Sequence, residues 1–350
     1  MIYLSIGTNW NIKKLSMLLS LNEKYRNSIK CDSVYGSLKR DLINLNSARP
    51  DWRLSETGID NIKSFIELAH RNNISIEYTI NAPLLESVQH YHFTLSEIKK
   101  SLKQIEELGV DRFIVTSPLL MEIIKETSRL PIKISTILAP KYTSNLKNYK
   151  EIGVDMVCMD IYNNRNIEFL QTYNVNALKH GITVELLVNE FCMYGDAPCA
   201  DILRSACYAH SALGGNKEHY FNDWPFGRCQ LKRKEQPISW LKSPFILPQH
   251  MEIYSDLTGI NHFKISGRTN TSEFWTKTIL SYFSQDFQGE LLSLYEQPQQ
   301  TKASSMFNPL ISELENIGFF DIWFKNKKSC MYNCGTPCSW CENKLKELNK

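Results

Sequence analysis

Along most of the chain, short apolar runs alternate with longer stretches in which apolar residues recur every three or four positions. "IYLSIG" (Ile2 to Gly7) reads as a strand, and Lys13 to Tyr25 as the helix after it. "DSVYGSL" (Asp32 to Leu38) reads as a second strand. "DNIKSFIELAHRNN" spaces Ile62, Phe65, Ile66 and Ala69 at helical intervals, and "ISIEYTINAP" (Ile74 to Pro83) follows as a β-branched strand. "TLSEIKKSLKQIEELG" reads as a helix, with Thr94 or Ser96 to cap it and Gly109 to end it. Further strands are read at Arg112 to Pro118, Ile132 to Leu138, Val154 to Ile161, Ile182 to Phe191 and His262 to Arg268, with helical segments between them; "SEFWTKTILSYFSQ" is the last long helix.

Eight strands in β-α alternation predict a parallel sheet with right-handed crossovers, and eight units favour closure into a (β/α)8 TIM-type barrel. An open doubly wound sheet would place a Gly-rich phosphate loop after the first strand, but "IGTNWN" is not GxGxxG. Two regions break the rhythm. Residues 191–261 are a long insertion between strands seven and eight, expected to be partly helical and to build a site. Polar, Pro-bearing 291–309 reads as a linker. The expected organisation is therefore a barrel over 1–290, the linker, and a small Cys-rich metal-binding tail over 310–350.

Composition adds little until the cysteines. With 43% hydrophobic and 22% charged residues the chain is ordinary globular protein, and a net charge of +3 with both signs interspersed gives no case for bulk binding to nucleic acid or membrane. "MIYLSIGTNW" lacks a basic n-region and a small-residue cleavage site, and no apolar run approaches ~18 residues. A cytoplasmic protein is expected. There thiols stay reduced, so grouped cysteines point to metal or catalysis rather than disulfides.

Eight of the ten cysteines fall in two groups. Cys192 lies just past the seventh strand, where barrel enzymes carry their chemistry, and Cys199, Cys207 and Cys229 follow in the insertion. Four thiolates converging on a loop suffice for a [4Fe-4S] cluster or for zinc, and their long spacings choose neither. Buried thiols that serve as small hydrophobes are the structural alternative. In "CMYNCGTPCSWC", Cys330, Cys334, Cys338 and Cys341 fall within twelve residues. That spacing is more ferredoxin-like than ribbon-like, with zinc as the competitor, and it is not the radical-SAM CxxxCxxC.

"NEFCMYGDAPC", "CYAHS" and "SPFILPQHMEIYSDLTGINHFKISGR" together resemble the collagenase-like peptidase family U32, and "DSVYGSL…NSARP" with "FIELAHRNNISIEYTIN" resembles that family's second and third barrel units. The likeness runs over about residues 1–285. It implies a (β/α)8 barrel with a [4Fe-4S] cluster on Cys192, Cys199, Cys207 and Cys229. Where the family carries glutamate in "KIEGR", this chain has Ser266, so no role of that glutamate transfers. Some members are described as proteases; others resemble dioxygen-independent hydroxylases of RNA bases or quinone precursors, with prephenate as oxygen donor.

The residues themselves favour the second description. No GxSxG or HExxH occurs, and thiolates that ligate a cluster are not free nucleophiles. Lys264 and Arg268, at the end of the eighth strand, suit a dianionic carboxylate, with a rim salt bridge as the alternative. Glu190 and His210 are acid/base candidates. Asn81, ending the third strand, is a substrate-binding candidate or a turn residue. Trp224, Phe226 and Trp240 either stack on a planar substrate or pack the insertion onto the barrel. The reading is an iron–sulfur enzyme that hydroxylates or otherwise modifies a small molecule, a peptide or an RNA base. A U32-type peptidase is the alternative, as is a non-catalytic iron–sulfur subunit working with a paralogous partner.

Overall fold

A computed structural model describes residues 1–39, 47–49, 54, 57–84, 95–190, 192, 207–208, 228, 231–268, 271–295, 308–325, 330, 334 and 337–348. Eight parallel strands close into a barrel in sequence order: β1 Ile2–Gly7, β2 Ile29–Gly36, β3 Ser75–Ile80, β4 Arg112–Val115, β5 Ile132–Ile134, β6 Val154–Cys158, β7 Thr183–Leu187 and β8 His262–Ile265. Pairing of Tyr3 with His262 and Ser5 with Lys264 joins the first strand to the last. The fold is the TIM-type (β/α)8 barrel that the alternation predicts.

The outer helices are α1 Ile12–Lys24, α2 Ile59–Arg71, α3 Leu95–Glu107, α4 Pro118–Thr127, α5 Leu146–Glu151, α6 Ile167–Lys179, α7 Met251–Thr258 and α8 Ser272–Ser284. Caps set their starts: Asn11 accepts from Lys13 and Lys14, Asn166 from Phe169, and Thr271 from Phe274. In α2 the buried positions are Ile62, Phe65, Ile66 and Ala69, the spacing read from sequence; each large side chain there contributes roughly 1.5–3 kcal/mol. Among the described residues no helix is long and apolar enough to cross a membrane.

Several strands stop earlier than their apolar runs. The predicted fifth and sixth strands ran on to Leu138 and Ile161, but Ser135 and Asp160 accept hydrogen bonds from Ile137 and Tyr162, turning the chain into 3-10 helices at Thr136–Leu138 and Ile161–Asn163. The fourth ends because Ser117 caps α4, with Pro118 in its first turn. The seventh ends at Leu187, so Asn189 and Glu190 belong to the loop above it. Ser96 lies inside α3 rather than capping it, and Thr94 lies outside the described residues. The predicted insertion over 191–261 also contains α7, which packs on α6 and completes the helical ring; Gly259, at φ +72°, ends it.

The main core lies between strands and helices. The barrel interior is polar. Lys133 Nζ lies 2.7 Å from the carboxylates of both Glu77 and Glu185, and all three side chains are sealed from solvent. Arg112 donates to Glu77 at 2.8 Å and grips Asp155 with two nitrogens. Burial would raise the Glu77 carboxyl, but Lys133, Arg112 and Lys264 outweigh it and hold it at about 2. A second apolar core on the flank joins Leu241, Phe245 and Phe287 to Ile311, Leu314, Phe319, Phe320 and Trp323. Of the stretch 291–309, Leu291–Tyr295 is helical and contributes Leu291 and Leu294 to this core.

Candidate active site at the barrel mouth

The carboxyl ends of the strands bring most of the described candidates together. Lys264 points inward from β8, and its ammonium sits 4.0 Å from the centroid of the Tyr35 ring. Burial lowers its affinity for the proton, against the pull of Glu185. Arg268, three residues past β8, is 7% exposed; Nη2 donates to Ser47 Oγ at 3.3 Å, while Nη1 is buried with no hydrogen-bond partner among the described residues. Burial, with Arg49 adding repulsion, lowers Arg268 to about 10. Among the described residues no carboxylate pairs with Lys264, Arg268 or Arg49. Sequence reasoning passed over Arg49, although it stands in the quoted "NSARP". Its role emerges only when the fold sets residues 47–49 above β8.

Both ends of the Asn81 carboxamide are engaged within the protein: Oδ1 accepts from Ala48 N at 3.0 Å and Nδ2 donates to Ser135 Oγ at 3.3 Å. Asn81 thus fixes residues 47–49 over the mouth. Asn189 makes a similar clasp, accepting from Ser266 N at 2.7 Å and donating to Ser266 O at 3.1 Å, so that Ser266 binds β8's end to β7's loop through backbone alone. Glu190 follows this clasp and is partly exposed; its charge reaches the Tyr35 hydroxyl, which donates to Ile265 O.

Cys192 and Cys207, fifteen residues apart in sequence, are both buried and share one apolar pocket with Ala48, Ile137, Cys158, Ile161 and Leu187. Two of the four predicted barrel ligands therefore converge at the mouth. Cys199, Cys229 and His210 lie outside the described residues, as do Trp224 and Phe226. Trp240 is buried beneath the Arg233 guanidinium, 4.4 Å from its ring, and offers no open face for stacking.

The floor of the mouth is tight. A Cβ added at Gly7 would lie 2.8 Å from Arg268 Cβ and 3.0 Å from Tyr35 Cζ. Neither can swing aside, since one belongs to a side-chain root and the other to a ring tethered at Ile265. Gly7→Ala is expected to destabilise by about 1–3 kcal/mol, read as a lower denaturation midpoint; an unchanged midpoint would show that the mouth yields.

The sequence matches peptidase family U32 over residues 21–220, more than half of its length. It is 24% identical over 292 residues to an uncharacterized protease of Methanocaldococcus jannaschii, covering 83% of this chain and 81% of that protein. Among solved structures it is similar to the U32 peptidase Mk0906, at 13% identity and a TM-score of 0.47, over 76% of this chain and 93% of the other. It is also similar to a chitinase from Rhizomucor miehei, at 13% identity and a TM-score of 0.41, over 81% and 98% of the two chains. A family match over more than half the sequence shows that this chain belongs to peptidase family U32.

Proposed function

We propose that this U32 protein is a cytoplasmic iron–sulfur enzyme that modifies an anionic substrate at the barrel mouth, by dioxygen-independent hydroxylation or a related reaction. The observation that carries the reading is Arg268. A buried guanidinium that has one nitrogen without a partner among the described residues, beside Arg49 and Lys264 and with no described carboxylate paired to it, is costly unless an anion completes it. A dicarboxylate such as prephenate would take two of these cations, with Lys264 as a point charge and Arg268 as the directional partner.

Cys192 and Cys207 fit a cluster: they are soft donors, buried together in an apolar pocket over the same mouth. With Cys199 and Cys229 they would hold a [4Fe-4S] cluster, which supplies one-electron chemistry when bound. Glu190 stands at the rim to move a proton, and His210 is the second acid/base candidate. The clasped loops at Asn81 and Asn189 would hold the substrate still and keep water out. The substrate proper is a small molecule, a peptide or an RNA base.

Peptide hydrolysis has less support, for no described histidine hydrogen-bonds a serine or cysteine. His250 is enclosed by Phe320 and Phe324, and His262 stacks on Tyr3 towards the barrel's opposite end. Calorimetry with prephenate is expected to show binding that weakens roughly 10- to 100-fold in Arg268→Gln, the range for a lost charged hydrogen bond. Equal affinity in both proteins would remove the anion site. Proteolysis that persists in Cys192→Ala would restore the peptidase. Activity only after co-expression with a paralogous chain would make this a partner subunit.

A further inference from the structure

We infer that the C-terminal cysteines form a second iron–sulfur site, docked against the barrel by the same short segment that walls the mouth. The inference stands on the tail's own geometry and does not depend on the chemistry proposed for the mouth.

Cys330, Cys334, Cys338 and Cys341 line one pocket, together with Trp323, Trp340, Arg165 and Lys242. All four thiols are free. Backbone contacts join them: Cys334 N donates to Cys330 O, Cys334 and Cys338 pair as a bridge, and Cys341 lies in the first turn of the helix Trp340–Leu348. Trp323 Nε1 donates to Cys330 Sγ at 3.0 Å, a contact suited to a charged sulfur. The Arg165 guanidinium, 1% exposed, lies 4.0 Å from the Trp323 ring, and buried Lys242 pairs with Glu342 at 2.7 Å. Glu342 also lines the pocket and is matched by Lys242, so Arg165 is left to offset part of the charge of about −2 that four thiolates give a [4Fe-4S]2+ core.

The arrangement of the cysteines favours a cluster over a single zinc ion. A tetrahedral zinc with bonds of about 2.3 Å needs sulfurs about 3.8 Å apart. Among the described residues no three His, Cys, Asp or Glu side chains are placed to hold a single metal ion. Cluster thiolates bind different irons, so the four cysteines that line the pocket need not converge on one point.

The docking segment is 160–165. Ile161 and Tyr162 pack with Cys192 and Cys207, while Arg165 lines the tail pocket. Asn164 fixes the segment by donating to Leu187 O and Pro244 O, and Arg165 donates to Leu241 O. Four Cα steps, at most about 15 Å, separate Ile161 from Arg165, and the 3-10 turn shortens that. Cys192 and Cys207 thus pack against one end of this segment and the tail pocket against the other.

The test uses the full chain purified anaerobically, with iron, acid-labile sulfide and zinc measured together. Cys192→Ala leaves the tail intact and is expected to retain about four irons and four sulfides per chain. Cys334→Ser/Cys338→Ser is expected to lose that share. Trp323→Phe should keep the iron but lower its reduction potential, a shift that a packing role would not produce. Zinc without labile sulfide in Cys192→Ala would overturn the inference, as would four tail thiols open to a thiol reagent with no metal. Because Cys192→Ala does not touch the tail, a fall from about eight irons in the native chain to about four in this variant assigns the remainder to the tail even if the double variant folds poorly.

Discussion

Lys133→Met is expected to destabilise the protein by about 3–5 kcal/mol, the cost of breaking a buried ion pair by removing one partner. Lys133 bridges Glu77 and Glu185 at 2.7 Å, with no solvent reaching any of the three. Methionine fills the volume but leaves two carboxylates facing each other across a dry barrel, with only Arg112 within ion-pair distance of Glu77. The pH dependence should change sign. In the native protein Glu77 is held below its ordinary 4.5, at about 2, so its contribution is complete above 4.5 and is lost as pH falls towards 2. In the variant one carboxylate has a folded-state affinity for the proton above its unfolded value, so stability rises as pH falls from neutral towards that ordinary value. Urea midpoints of the native protein at about pH 5 and pH 3, and of the variant at about pH 7 and pH 5, check the two statements. A variant that is equally stable and has the native pH slope would show that the triad is not worth what its burial implies.

Cys192→Ala is expected to abolish turnover and remove the barrel iron while the fold persists. Cys192 and Cys207 share their pocket with Cys158, which makes an informative control. Cys158 lies on β6 opposite Glu185, and burial raises its thiol well above the ordinary range, so it stays protonated. Cys207→Ala should therefore match Cys192→Ala, whereas Cys158→Ala should keep its iron. Equal iron loss in all three would mean that the pocket is merely collapsing.

The alternation of apolar runs and amphipathic stretches made the barrel legible, because a strand buried on both faces and a helix buried on one leave different periods. Strand ends were less legible. Ser117, Ser135 and Asp160 draw the backbone out of the ladder, and their hydrogen bonds are local choices that periodicity does not record. Of the candidate site, Lys264, Arg268 and Cys192 could be found from position at strand ends, and Cys207 from its group. Arg49 could not, because its place above Arg268 depends on the segment that Asn81 holds. The polar interior had a visible signal, single charges inside "ISIEYTI", "IKISTIL" and "ITVELLV". Sequence alone could not show that Glu77, Lys133 and Glu185 meet on the barrel axis.

Iron and acid-labile sulfide, counted in anaerobic preparations of the native chain and of Cys192→Ala side by side, test the proposed chemistry most directly. The account predicts a difference of about four irons and four sulfides per chain. Native protein without iron, or the same iron content in both proteins, would contradict it.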